Sequence, residues 1–272
     1  MINRAVSVAA IGLFCPAGAG REGAVGGRKG EVPGFDARAW IQNRKNLKLM
    51  SRSVQLGVSA IRVALGEVAG WEAVAPDRRG MFVGSTPLGG ELGDLIPALE
   101  VATLPTGELD LSRFAEHGYP LIHPLWLVKG LSNNVLGFAS AIHDFQGTNS
   151  NYCDGEASGA IALWEGWAAV AEGRADLVVA GAADAWVGLE GMLGGLRGGE
   201  GAAFFVLRPA QAGDPFIVEP VDDGLDGPDP EADSMGFLGA AWLPVIAARR
   251  LLRGEDVQFR GPGRLGLRFA AS

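Results

Sequence analysis

The chain has 272 residues, 48% of them hydrophobic, enough to bury a core as one large domain or two small ones. Its net charge of −8 argues against nucleic acid as a main partner, because phosphate binding rests on clustered Lys and Arg. No apolar run reaches bilayer length, so no membrane span is expected, and two cysteines, Cys15 and Cys153, fit a reducing cytoplasm better than a disulfide framework.

Residues 1–12 carry Arg4 as their one basic residue and no apolar block before a signal-peptidase site, so they read as a first strand rather than a targeting segment. Within it, residues 5–13 alternate and are rich in Val, Ile and Ala. Residues 18–34 are a Gly-rich loop. Residues 37–70 read as largely helical, since Leu56, Ile61, Val63, Leu65 and Val68 recur near helical spacing and Gly70 offers a stop. The same stretch gathers Arg38, Arg44, Lys45, Lys48 and Arg52. That is either a solvated helix face or a dock for an acidic partner.

Residues 79–84 are a strand running into a Gly-Ser-Thr-Pro turn, and 89–101 a short helix. Residues 124–145 read as one helix with a small-residue face at Gly137, Ala139, Ser140 and Ala141. A short strand at 149–153 precedes an Ala-rich helix at 157–172, then apolar strands at 176–180 and 202–207. Strands alternating with helices imply a layered α/β fold with buried sheets. After residue 210 the character changes. One strand is expected at 215–220, a loop with six carboxylates at 222–233, a helix at 236–253 and a last strand at 265–270.

Three segments in order carry a resemblance. They are Pro124-Leu-Trp-Leu-Val-Lys-Gly-Leu-Ser-Asn-Asn134, then Gly147-Thr-Asn-Ser-Asn-Tyr-Cys-Asp-Gly-Glu-Ala-Ser-Gly159, then Gly173-Arg-Ala-Asp-Leu-Val-Val-Ala-Gly-Ala-Ala-Asp184. Together they resemble the N-terminal half of the β-ketoacyl synthases, over roughly residues 1–210. The first strand, the strand at 79–85 and the Gly-Glu-Gly-Ala strand at 199–207 are similar to the family's in order and spacing. The resemblance implies a thiolase-like layered α/β fold, with the first half (1–210) largely complete and the second (211–272) a shortened remnant.

In that family a cysteine stands at a strand-to-helix elbow, where it forms an acyl thioester and the helix N-terminus stabilises its thiolate. Laid on this pattern without a gap, residues 147–159 put Glu156 at the cysteine position. Cys153 falls three residues earlier, on the strand, and is expected to be a buried small hydrophobe. Glutamate cannot hold a transferable acyl thioester. Its charge nevertheless suits the free N–H groups of a helix start, so Glu156 is expected to imitate the thiolate as a plug or to position a partner's loop.

The family's chemistry also uses two histidines from its C-terminal half. Here His117, His123 and His143 all precede the elbow and none follows it. The stretch Ser234-Met-Gly-Phe-Leu-Gly-Ala-Ala241 resembles a histidine-bearing family helix shortened by one residue, with Phe237 near the histidine position. The ending Gly261-Pro-Gly-Arg-Leu-Gly-Leu-Arg-Phe269 is similar to the family's closing glycine turn and strand. The three histidines are expected to be structural or on the surface. No catalytic, cofactor-binding or metal-binding residues are expected.

The resemblance therefore implies a non-catalytic, chain-length-factor-like subunit in polyketide, polyene or fatty-acid biosynthesis. Such a cytoplasmic pseudoenzyme pairs as a heterodimer with an active β-ketoacyl synthase and helps shape its acyl tunnel, through residues of 124–145. An acyl carrier protein is the further partner, docking mainly on the active subunit. Two alternatives stand beside this: a malonyl-thioester decarboxylase using Glu156, and an acyl-binding module without catalysis.

Overall fold

The computed structural model describes residues 4–17, 30–87, 92–221, 235–260 and 266–272. Its chain order is β1 (Val6–Phe14), α1 (Arg44–Leu47), α2 (Arg52–Gly66), β2 (Arg79–Gly84), α3 (Ile96–Ala102), α4 (Leu111–Arg113), α5 (Trp126–Lys129) and α6 (Asn134–His143). There follow β3 (Asn149–Tyr152), α7 (Ser158–Ala171), β4 (Leu177–Ala185), β5 (Glu200–Pro209), β6 (Phe216–Val221), α8 (Trp242–Leu252), β7 (Val257–Arg260) and β8 (Gly266–Ala271).

The strands form one eight-stranded mixed sheet in the order β3-β2-β4-β5-β1-β6-β8-β7. β2 runs parallel to β3 and β4, while β5 is antiparallel to both β4 and β1. The strands after residue 210 join through β6, which pairs with β1 from Val6 to Val8. Helices cover both faces, so the central strands are apolar throughout rather than alternating. In β5, Phe204 and Val206 face a core with Leu56 and Ile61 of α2, whereas Phe205 and Leu207 face Leu163 of α7 and Val245 of α8. Each such fully buried side chain contributes about 1.5–3 kcal/mol. This three-layer arrangement is the thiolase-like fold expected from the sequence, and no helix of the described residues is long and apolar enough to cross a membrane.

Several boundaries differ from the sequence reading. Residues 37–70 are a 3-10 turn and two helices rather than one helix, because Asp36, Asn43 and Ser51 are extended and restart the chain. Asp36 and Asn43 each accept a backbone N–H two residues on, as N-caps do. Residues 124–145 break into α5 and α6, where Asn134 donates its amide to the Val128 and Lys129 carbonyls. The helix expected at 236–253 begins at 239, because Gly236 and Gly239 take positive φ values of 78° and 50°. β4 extends to Ala185. Residues 103–121, which the sequence left without structure, hold an isolated Thr103–Leu109 bridge, α4, a π-helical turn and a 3-10 turn. Most of the Gly-rich loop, the acidic loop at 222–233, Ser234 and the closing turn at 261–265 lie outside the described residues.

Cys153 needs correction. It is exposed, not buried. It lies just past β3, the edge strand of the sheet among the described residues, and contacts the Ser85 hydroxyl at 3.2 Å and the Asn151 amide at 3.3 Å.

Candidate functional site

The elbow is built by backbone contacts between three elements. β3 ends at Tyr152, Gly155 turns with φ 55°, and the 3-10 turn Gly155–Ala157 leads into α7. The fully buried Ser158 closes the turn: its hydroxyl accepts the Asp154 N–H at 2.7 Å and donates to the Gly155 carbonyl at 2.8 Å. Gly159 then lets α7 approach the start of α8, since a Cβ there would stand 2.4 Å from the Ala240 carbonyl oxygen. That close approach sets Glu156 opposite the 236–242 segment. Glu156 is solvent-exposed, one turn ahead of α7, where a negative charge interacts favourably with the helix dipole by about 0.3–1 kcal/mol.

Glu156 and Phe237 line one cavity of about 390 Å³, together with Leu196, Arg197, Gly236, Leu238 and Trp242. The two positions singled out in the sequence, 81 residues apart, thus meet in space. Leu196, Phe237, Leu238 and Trp242 make the walls apolar. Among the described residues, no histidine, cysteine or serine lines the cavity. Phe237 is fixed from both sides: its N–H donates to the Arg197 carbonyl at 2.8 Å, its carbonyl accepts the Gly199 N–H at 2.9 Å, and its ring meets Trp186 edge-on.

Behind this wall lies a carboxylate that the sequence reading did not single out. Asp184, at the end of β4, is 3% exposed. It accepts hydrogen bonds of 3.0 Å from the Thr86 hydroxyl, the Ala185 N–H and the Ala240 N–H. Burial raises its pKa to about 6, against the opposing pull of the Trp186 indole and those three donors. Gly239 makes the Ala240 contact possible, because a Cβ there would lie 2.2 Å from the Asp184 Oδ2. The available sequence signal is a lone acid closing an otherwise apolar strand.

The basic segment does not form one helix face. Arg38, Arg44, Lys48 and Arg52 line a groove of about 700 Å³ with Phe35, Leu47 and Gln55. Arg52 is committed to Glu200, at 2.6 and 2.8 Å, whereas Arg38, Arg44 and Lys48 have no ion-pair partner among the described residues. The histidines stay away from the Glu156 cavity. His117 and His123 are exposed; His143 packs against Trp71, and burial holds its pKa down to about 4. Among the described residues, no three His, Cys, Asp or Glu side chains are grouped to hold a metal.

The family profile described as Beta-ketoacyl synthase, N-terminal domain, matches residues 15–203. No curated protein matches the sequence. Among solved structures, the fold is similar to "The ishigamide ketosynthase/chain length factor", with a TM-score of 0.66 and 19% identity over 98% of this chain and 99% of that one. It is similar to AntDE:AntF, a type II PKS acyl-carrier protein in complex with its ketosynthase bound to the hexaketide, with a TM-score of 0.70 and 14% identity over 99% and 100% of the two chains. A β-ketoacyl synthase from Burkholderia phymatum STM815 gives a TM-score of 0.58 and 20% identity, and the match covers 82% of this chain and 65% of that one.

Proposed function

The chain belongs to the β-ketoacyl synthase family, and on that premise we propose that it is a non-catalytic, chain-length-factor-type subunit that pairs with an active β-ketoacyl synthase. The observation that carries this reading is the cavity at the elbow. In this reading Glu156 takes the nucleophile's place and Phe237 that of a lost histidine; both line the cavity, and among the described residues no thiol, hydroxyl or imidazole lines it with them. Condensation needs an acylated nucleophile and a group to bind the thioester oxygen. Among the described residues the lining supplies no such nucleophile.

Two features support a partner. β3 is an edge strand, and an open edge is a template for pairing. The chain also exposes Leu111, Tyr119, Leu121, Leu127 and Leu131 in one stretch that includes α4 and α5. In this reading the active synthase covers that surface, and 124–145 help shape its acyl tunnel. Residues 1–210 are the ketosynthase-like half and 211–272 its shortened companion, joined through the β1–β6 pairing. An acyl carrier protein docks mainly on the active subunit, and Arg38, Arg44 and Lys48 offer it a secondary contact. The assembly works in the cytoplasm on polyketide, polyene or fatty-acid chains.

Co-expression with candidate synthases tests the reading. The expected outcome is a stable heterodimer in which intact-mass analysis finds acyl groups on the synthase and none on this chain. A soluble monomer indifferent to every synthase, or an acyl adduct on this chain, would overturn it.

A further inference from the structure

β6 covers only part of one edge of β1. It pairs with β1 from Val6 to Val8 and begins at Phe216. One step further stands Pro215, which has no N–H to continue a ladder, and β1 carries a bulge between Val8 and Ala10. From Ala9 to Phe14 the strand therefore has β5 on one side and, among the described residues, no strand on the other. Beside this stretch lies a cavity of about 530 Å³. Trp40, Val63 and Glu67 form its wall on the α2 side, and Phe216 and Leu252 its wall on the α8 side.

The floor of this cavity presents backbone groups at strand spacing. In an antiparallel ladder, alternate residues turn both N–H and C=O toward the same neighbour. Glu200 and Ala210, at either end of β5, donate their N–H groups to the Gly30 and Ala5 carbonyls, on the side away from β4. Ala202, Phe204 and Val206 therefore face β1, and their partners Phe14, Gly12 and Ala10 face back. Ile11 and Leu13 are left turned toward the cavity, and no hydrogen-bond partner for them occurs there among the described residues.

We propose that this slot binds an extended peptide segment of a partner protein as an added strand. The peptide backbone pairs with Ile11 and Leu13, its apolar side chains lie alternately on the two walls, and a Lys or Arg faces Glu67. Three observations select that occupant. The free backbone groups match the ladder of a strand, whereas an acyl chain would bury them without a partner, at a cost. Both walls are apolar, so successive side chains of a strand, which point to opposite faces, each meet one. Glu67, at the end of α2, is exposed and has no ion-pair partner among the described residues, so the complementary charge is positive and a fatty-acid carboxylate or a phosphate is disfavoured. At about 3.3 Å per residue, the stretch from Ala9 to Phe14 takes a segment of roughly five or six residues.

The slot is separate from the β3 edge, since β5, β4 and β2 lie between them, so this inference and the pairing reading can fail independently. Phage-displayed random heptapeptides selected on the full chain test it, followed by fluorescence anisotropy with a selected peptide synthesised and labelled. The selected sequences should alternate apolar residues around a Lys or Arg. Glu67→Lys should weaken binding about tenfold or more, and replacing the basic residue of the peptide by Glu should restore it. By NMR hydrogen exchange, the Ile11 and Leu13 amides of the free chain should exchange about tenfold or more faster than those of Ala10 and Gly12, and should become protected when the peptide binds. Failure to select any peptide, or peptides whose binding ignores Glu67→Lys and leaves Ile11 and Leu13 unprotected, would overturn the proposal. Ile11 and Leu13 amides already as protected as Ala10 and Gly12 in the free chain would overturn it too, because the slot would then be filled by the chain itself.

Discussion

The ring of Phe237 meets the ring of Trp186 edge-on, with centroids 5.3 Å apart and planes at 72°. In the proposed reading this apolar pair stands where a condensing enzyme would need a polar group facing its nucleophile. Restoring one group should not restore chemistry. Glu156→Cys places a thiol one turn ahead of α7, where the helix N-terminus raises its thiolate fraction. It should react with iodoacetamide up to roughly tenfold faster than Cys153 does in the unaltered chain. Neither Glu156→Cys nor Phe237→His alone should yield a condensation product from acyl and malonyl thioesters. Labelling followed by intact mass and product analysis by chromatography checks both statements. Turnover by either single variant would mean that a single substitution separates this site from a working one.

Arg52 and Glu200 anchor the basic groove to the core. Glu200 has a side chain only 3% exposed, takes two bonds from Arg52 and accepts the Val32 N–H at 2.8 Å. Arg52→Met would leave that carboxylate buried with one backbone donor. The Arg52 side chain is itself 36% exposed, so screening trims the effect to about 2–3 kcal/mol of lost stability. Urea unfolding monitored by circular dichroism measures it. A loss below about 1 kcal/mol would mean that water already screens the pair.

The first five strands and the elbow were legible because each rests on a local signal. Apolar runs bounded by glycine mark strands with both faces buried, and residues 147–159 keep strand, turn and helix start in one ungapped stretch. Helix breaks were less legible. They depend on Asp36, Asn43 and Ser51 as caps, and polar residues of that kind also occur inside exposed helices. The exposure of Cys153 could not be read from its neighbours, because it follows from β3 being at the sheet edge, a property of strand order. Asp184 lay in plain view within a motif. Its importance comes from Thr86 and Ala240, distant in the chain, converging on it.

His143 contributes to the loss of stability in acid. Burial, then repulsion from Arg62, lowers its pKa from 6.5 to about 4. The folded-state value lies below the unfolded one, so the unfolded chain takes up the proton first. This contribution is fully present above pH 6.5 and is lost as pH falls toward 4. Partial exposure reduces it to about 1–2 kcal/mol. Asp184 acts in the opposite direction. Its raised pKa means that the folded state binds the proton first, so its ionisation costs stability as pH rises from about 4 to about 6. His143→Phe should therefore flatten the loss of stability on acidification, and Asp184→Asn should steepen it. Denaturant midpoints from pH 4.5 to 7.5 check the pair, and shifts in the same direction for both variants would refute the assignment.

The proposed interface makes a prediction that separates its two strand edges. Met81 N–H donates to the Thr148 carbonyl and Ser85 N–H to the Tyr152 carbonyl. In a parallel ladder this alternation assigns Thr148, Ser150 and Tyr152 to β2, and turns the backbone groups of Asn149 and Asn151 outward. Proline at an outward position removes a donor that only a partner strand could use, whereas proline at an inward position breaks the chain's own ladder. Asn149 is exposed, and its side-chain amide bonds only the nearby Gly147 carbonyl. Asn149→Pro should hence leave the stability of the isolated chain within about 1 kcal/mol, and weaken binding to the partner synthase on the order of tenfold. Ser150→Pro should destabilise the isolated chain itself, by about 3 kcal/mol or more. Thermal melts together with surface-immobilised binding distinguish the cases. If Asn149→Pro binds the synthase as tightly as the unaltered chain, the partner does not pair with β3, and the exposed stretch around α4 and α5 must carry the interface instead.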